Sequence, residues 1–157
     1  MTSRPVQQSA FYLEDFSIGQ VFRSQSVTMD AAAIKAYASQ YDPQPFHLDE
    51  AAAVKSLFGG LVASGWHTVS LTMRLLVHGG LPIAGGIVGA GVDEIRWPRP
   101  VRPGDTLRLE SEVIEVRPSQ SRPERGMMKV RTTTFNQNDE PVQVMMSNLV
   151  VPRRPAM

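Results

Sequence analysis

Hydrophobic positions recur at helical spacing in the middle of the chain and alternate toward its carboxyl end. Val62, Trp66, Val69, Met73 and Leu76 fall at steps of three and four, with His67, Ser70, Arg74 and His78 as a polar line beside them. That period predicts the main helix over residues 66–78. Leu71, Leu75 and Val77 widen its apolar side, so the helix is expected to be largely buried, with Trp66, Met73 and Leu76 in the core.

Shorter signals surround it. After a polar leader, residues 19–29 alternate loosely and read as a first strand. Asp30 then stands as an N-cap before the alanine-rich run AAAIKAYASQY, predicting a helix that ends near Gln40, before Pro43 and Pro45. Residues 48–57 resume helical composition, with Asp49 or Glu50 near the start, where negative charge suits the helix dipole. Beyond HGGLPIAGG, residues 87–97, 105–116, 127–137 and 141–151 form four β-rich runs. In the second of these the apolar parity switches around residues 112–114, predicting a bulge. NQNDEP marks a tight hairpin, and residues 117–126 a mobile loop. The order is strand, helices, one long helix, then four antiparallel strands. That is an α+β domain in which a single sheet wraps around one helix. Such a sheet leaves an edge strand open, which a second copy of the chain can cover.

Composition narrows the function. At 157 residues one domain is expected over 1–157, long enough to bury a core without disulfides. Sixteen Lys and Arg against fifteen Asp and Glu leave a net charge of +1, which provides no field for nucleic acid, although Arg99, Arg102, Arg117, Arg122 and Arg125 cluster in the second half. The chain has no cysteine, which removes thiolate chemistry and Cys-based metal sites. The amino-terminal residues have no apolar signal-peptide core, and no segment approaches ~20 uninterrupted apolar residues. A cytoplasmic protein without membrane contact is expected.

The chemistry concentrates in YDPQPFHLDE, residues 41–50. Pro43 and Pro45 lack amide protons and push Asp42 and Gln44 toward extended angles, so a helix cannot run from Asp42 to His47 and a rigid loop is expected. Taken alone, Asp42 reads as a turn cap and His47 as a helix cap or packing residue. The functional alternative is that carboxylate and imidazole share a water molecule, one group taking its proton and the other returning a proton to product. Such a pair suits hydration or dehydration, and a rigid mount suits catalysis, because misplacement by about an ångström costs about a hundredfold in rate.

The wider context decides between them. YDPQPFHLDEAAA, then FGGLVASG at 58–65, then RWPRPVRPGDTL at 96–107, together resemble the MaoC-like family of (R)-specific enoyl-CoA hydratases and acyl dehydratases. The resemblance runs over roughly residues 11–152 and includes the opening FYLEDFSIGQVF. Asp42, Pro45 and His47 match the aspartate, proline and histidine of the family motif G-D-x-N-P-x-H. Three positions depart from the pattern: Tyr41 replaces glycine, Gln44 replaces asparagine, and Ser64 stands where a histidine often precedes the glycine that opens the helix. The resemblance implies a hotdog fold, a homodimer with sites at the subunit interface, and a trans-2-enoyl-CoA thioester as substrate, giving an (R)-3-hydroxyacyl-CoA.

The expected roles follow from that resemblance. Asp42 and His47 are the catalytic pair, with His47 the base toward water and Asp42 orienting it and passing a proton to the α-carbon. The Gly65 amide, at the start of the long helix, is the oxyanion donor. Gln44, Ser64 and His67 are candidate substrate-binding residues, His67 alternatively a packing residue, and His78 a helix C-terminal cation. Trp97 is a candidate tunnel wall. The arginines of 117–125 read either as a solvated loop or as contacts to CoA phosphates. No metal or separate cofactor is expected. Two other readings compete: a hotdog thioesterase, and a non-catalytic acyl-CoA-binding subunit.

Overall fold

A computed structural model describes residues 10–156. The polar leader at residues 1–9 lies outside the described residues. A helical turn at Leu13–Asp15 leads into β1 (Val21–Arg23) and β2 (Val27–Thr28), followed by α1 (Ala31–Tyr41), α2 (Pro45–Leu48), α3 (Glu50–Val54) and α4 (Gly65–Leu75). The chain then forms β3 (Val88–Arg96), β4 (Thr106–Pro118), β5 (Arg125–Phe135) and β6 (Pro141–Pro152). The strands make one antiparallel sheet in the order β1-β4-β5-β6-β3, with β2 also paired to β4. With α4 against it, this is the hotdog arrangement expected from the sequence.

Local signals account for most of these elements. The Asp30 carboxylate accepts from the Ala33 amide at 2.7 Å and starts α1, which buries Ile34 and Ala38. Asp49 caps α3 by accepting from the Ala51 amide at 2.9 Å. The switch of parity in β4 is a bulge at Ile114: Val113 pairs with Val130 and Glu115 with Lys129, and burial moves from Val113 to Val116. The NQNDEP hairpin closes with Asp139 in the left-handed region at φ 58. The single first strand expected over 19–29 is instead two short strands. Arg23 pairs with Glu110 and Val27 with Leu107, so one extra residue is absorbed around Ser24, whose hydroxyl takes the Leu109 amide at 2.9 Å.

The long helix departs from expectation in both length and facing. It ends at Leu75 and unwinds through Leu76–Gly80, where Gly79 takes φ 115, a conformation open to glycine. Its buried line is Thr68, Thr72, Leu75 and Leu76, whereas Trp66 (56% exposed), Met73 and Val77 face outward. Thr72 tolerates burial because its Oγ1 meets Thr134 Oγ1 at 2.8 Å and accepts from Gln143 Nε2 at 3.0 Å.

Two packed regions fill the interior. Leu75, Leu76, Leu109, Val130 and Leu149 join the helix to the sheet, with Leu13 and Phe16 closing one side. A second cluster, including Met29, Ile34, Ala53, Leu61, Val101 and Leu107, ties α1 and α3 to the other end of the sheet. Each fully buried aliphatic side chain contributes about 1.5–3 kcal/mol. The second cluster therefore fixes the short helices on which the motif residues stand. β3 is left at the sheet edge with Val88 and Val92 exposed.

Candidate active site

Asp42 ends α1: its amide bonds to Ala38 O at 2.9 Å, and its backbone turns to φ −151, ψ 66 before Pro43. Gln44 is extended, as a residue preceding proline must be. The chain does not remain a loop up to His47. Pro45 takes the first position of a helical turn, where its missing N–H costs nothing, so His47 stands on α2. The prolines break the helix between Asp42 and Gln44 and restart it at Pro45, which folds the imidazole back over the carboxylate.

The two groups meet, with His47 Nε2 3.2 Å from Asp42 Oδ2 and side-chain exposures of 6% and 18%. The other ring nitrogen, Nδ1, donates to Val62 O at 2.6 Å. Val62 belongs to a buried extended segment: its amide donates to Phe46 O, and the Ala63 amide donates to Val101 O. Gln44 Nε2 donates to Asp42 Oδ1 at 2.6 Å. Burial raises the Asp42 pKa, but hydrogen bonds from the Ser64 hydroxyl and the Gln44 amide, together with the charge and hydrogen bond of His47, outweigh it and hold the carboxyl below its ordinary value.

Ser64 is fully buried and caps α4, its Oγ accepting from the Trp66 amide at 3.3 Å. Gly65 is the first residue of α4, where a backbone amide has no partner within the helix. A cleft of about 400 Å³ brings Asp42, Gln44, His47 and Gly65 together with an apolar wall that includes Phe46 and Phe58. Among the described residues no three His, Asp or Glu side chains converge as metal ligands would.

His67 does not face this cleft. It stacks flat on Tyr37, with ring centroids 4.5 Å apart and planes 4° apart, and its Nδ1 is buried without a partner among the described residues. Burial pushes its pKa down. A helical residue points about 100° from its neighbour, so the position after Trp66 turns toward α1 instead. His78 is exposed beyond the end of α4. The arginines of 117–125 sit at the far end of the sheet. Arg125 pairs with Pro152 on β6, whereas β3 leaves the sheet toward the cleft beside Val144, eight residues back along β6.

Several lining residues were not among the site residues expected from the sequence. Trp66, assigned to the core, lines the cleft, and so does Arg99, which pairs with Glu140 at 2.9 Å. Trp97, the candidate wall, also lines it. The run of prolines around Trp97 and Arg99 was the available signal, since it holds that segment away from the sheet as a separate wall.

A hotdog sheet carrying an acid and an imidazole beside a helix amino terminus places the protein in the hotdog dehydratase class. The chain belongs to the MaoC-like domain family, whose pattern matches residues 15–136. It is similar to the crystal structure of a MaoC-like dehydratase from Rhodospirillum rubrum, at 54% identity and a TM-score of 0.91, covering 94% of this chain and 100% of that one. The unliganded R-hydratase PhaJ1 from Pseudomonas aeruginosa aligns at 26% identity and a TM-score of 0.72, over 91% of this chain and 86% of that one. The protein YdeM of Bacillus subtilis (strain 168) is 34% identical over 127 residues, 81% of this chain and 89% of its own length.

Proposed function

We propose that the protein is a hydro-lyase that reversibly hydrates a trans-2-enoyl-CoA thioester to the (R)-3-hydroxyacyl-CoA. One observation carries the reading: the 3.2 Å approach of His47 Nε2 to Asp42 Oδ2 inside a cleft that also contains the start of α4. The dehydratase and R-hydratase names of similar proteins support it.

The thioester oxygen accepts from the Gly65 amide, where the helix dipole favours developing negative charge. Water sits against Asp42 and His47. His47 takes a proton from water as its oxygen bonds to the β-carbon, and Asp42 orients the water and passes the proton it has shared with His47 to the α-carbon, leaving the proton count of the pair unchanged. Gln44 and Ser64 hold the carboxylate for that exchange. The polarised thioester carbonyl stabilises charge at the α-carbon, so the reaction needs no metal and no separate cofactor. A homodimer completes the assembly: the open edge of β3 and the outward residues Trp66, Met73 and Val77 offer a surface for a second copy.

The test is a spectrophotometric hydration assay across enoyl-CoA esters of increasing length, with product chirality determined and oligomeric state measured by sedimentation. Loss of the enoyl absorbance with formation of the (R)-alcohol is expected. Release of free CoA instead identifies a thioesterase, and tight binding without turnover identifies a binding subunit.

A further inference from the structure

Trp97 is held by an unusual set of contacts for a side chain that is 43% exposed. A Cβ placed on Gly65 would lie 2.6 Å from Trp97 Cε2 and 2.8 Å from Cζ2, so the indole rests directly on the first residue of α4. Its Nε1 donates to Gln143 Oε1 at 3.0 Å. Gln143 lies on β6, is fully buried, and donates from Nε2 to Thr72 Oγ1 at 3.0 Å, which in turn meets Thr134 Oγ1 at 2.8 Å. Trp66 packs edge-on at 5.6 Å.

Burying an amide among aliphatic side chains is unfavourable unless its bonds are made, and a same-sized apolar residue would fill the place without that requirement. The bonds of Gln143 run from α4 and β5 outward and end on the indole. The amide therefore fixes a ring that the rest of the core does not need, and the ring stands on the edge of the cleft, against the α-carbon of the glycine whose amide is assigned to the thioester oxygen.

From this the geometry points to Trp97 as the residue that limits substitution at the α-carbon, with Gln143 as its positioning residue. This rests on the hydratase reading above. A planar enoyl thioester held by Gly65 brings its carbonyl carbon and α-carbon beside the indole. A hydrogen on the α-carbon fits there; a methyl group needs volume that the ring occupies. The substrate class is thus straight-chain 2-enoyl thioesters, with 2-methyl-branched ones rejected. Discrimination by one methyl group in such a pocket is worth about 10–200-fold.

The experiment compares kcat/KM for crotonyl-CoA and its 2-methyl analogue, tiglyl-CoA, in the parent, Trp97→Leu and Trp97→Phe. The parent is expected to favour the unbranched ester, and Trp97→Leu to raise the branched-to-unbranched ratio at least about tenfold. A ratio unchanged in both variants overturns the assignment. Binding of the saturated pair, butyryl-CoA and 2-methylbutyryl-CoA, measured by calorimetry, separates the two levels of the reading. A Trp97-dependent preference without any turnover sinks the hydratase and keeps the wall; turnover with no such preference does the reverse. For Gln143, the Trp66→Phe background leaves Trp97 as the remaining one of two tryptophans. Adding Gln143→Leu is expected to increase acrylamide quenching of its emission and to move the ester ratio in the same direction as Trp97→Leu. Unaltered quenching and ratio in a folded variant remove the positioning role.

Discussion

His47 Nδ1 lies 2.6 Å from the carbonyl oxygen of Val62, and that contact sets the proton state of the whole pair. A carbonyl only accepts, so Nδ1 carries hydrogen. A neutral imidazole then presents a bare Nε2 to Asp42 Oδ2 at 3.2 Å, and two acceptors at that distance repel unless one proton lies between them. The resting pair consequently shares one proton, which makes one member an acid and the other a base at the same moment. Activity is expected to be lost on the acid side, as a second proton binds and neutralises the Asp42 carboxylate. Because the Asp42 carboxyl is held below its ordinary value, with the Ser64 and Gln44 hydrogen bonds outweighing burial, the acid limb lies low. Gln44→Ala removes one donor and is expected to move that limb upward in a kcat/KM profile. An acid limb in the same place would show that Gln44 does not tune the pair.

Gly65 and Trp97 form a second coupled pair. A methyl group on Gly65 meets indole carbons at 2.6–3.0 Å, so Gly65→Ala must displace the ring at a cost of about 1–3 kcal/mol. In a Trp97→Ala background the obstruction is gone, and alanine is favoured over glycine in a helix by roughly 0.5–1 kcal/mol. Gly65→Ala is therefore expected to lower stability in the parent and to be neutral or stabilising in Trp97→Ala. A cycle of urea midpoints measures this coupling, and simple additivity would exclude the contact.

The features legible in the sequence are those that local chemistry decides. Asp30 capping α1, the Asn136–Glu140 hairpin, the bulge at Ile114 and the proximity of Asp42 to His47 all follow from residues close together in the chain. The faces of α4 were not legible. Thr68 and Thr72 look polar and are buried, Thr72 because Thr134 and Gln143, far along the chain, supply partners; Trp66 and Met73 look like core and are not. A period of 3.6 identifies a helix, but long-range neighbours decide which side is covered. The turn at α2 was hidden for a different reason: Pro45 reads as a breaker, although at the first helical position it initiates. Likewise Trp97 and Gln143 stand 46 positions apart, and nothing local joins them.

Asp42→Asn keeps the shape of the side chain while removing its charge and its capacity to exchange a proton. Catalysis by such a group contributes about 10²–10⁴-fold, and kcat is expected to fall by that much. The fold should survive, since the bond closing α1 at this position comes from the backbone amide. Circular dichroism melts beside turnover numbers check both halves, and near-parent turnover would remove Asp42 from the mechanism.

His67 predicts an acid weakness that has nothing to do with catalysis. Burial against Tyr37, with Nδ1 lacking a partner, depresses its pKa in the folded chain, whereas in the unfolded chain it titrates near the ordinary value of about 6.5. Above that pH neither state binds the proton and stability is complete. As pH falls below it the unfolded chain gains a proton that the folded one refuses, so stability declines until the depressed folded value is reached. His67→Phe keeps the flat ring on Tyr37 and abolishes the differential titration. Urea unfolding midpoints of the parent are expected to decrease as pH falls below about 6.5, and those of His67→Phe to decrease less over the same window. Equal slopes would mean that His67 is protonated as readily in the folded protein as in the unfolded chain.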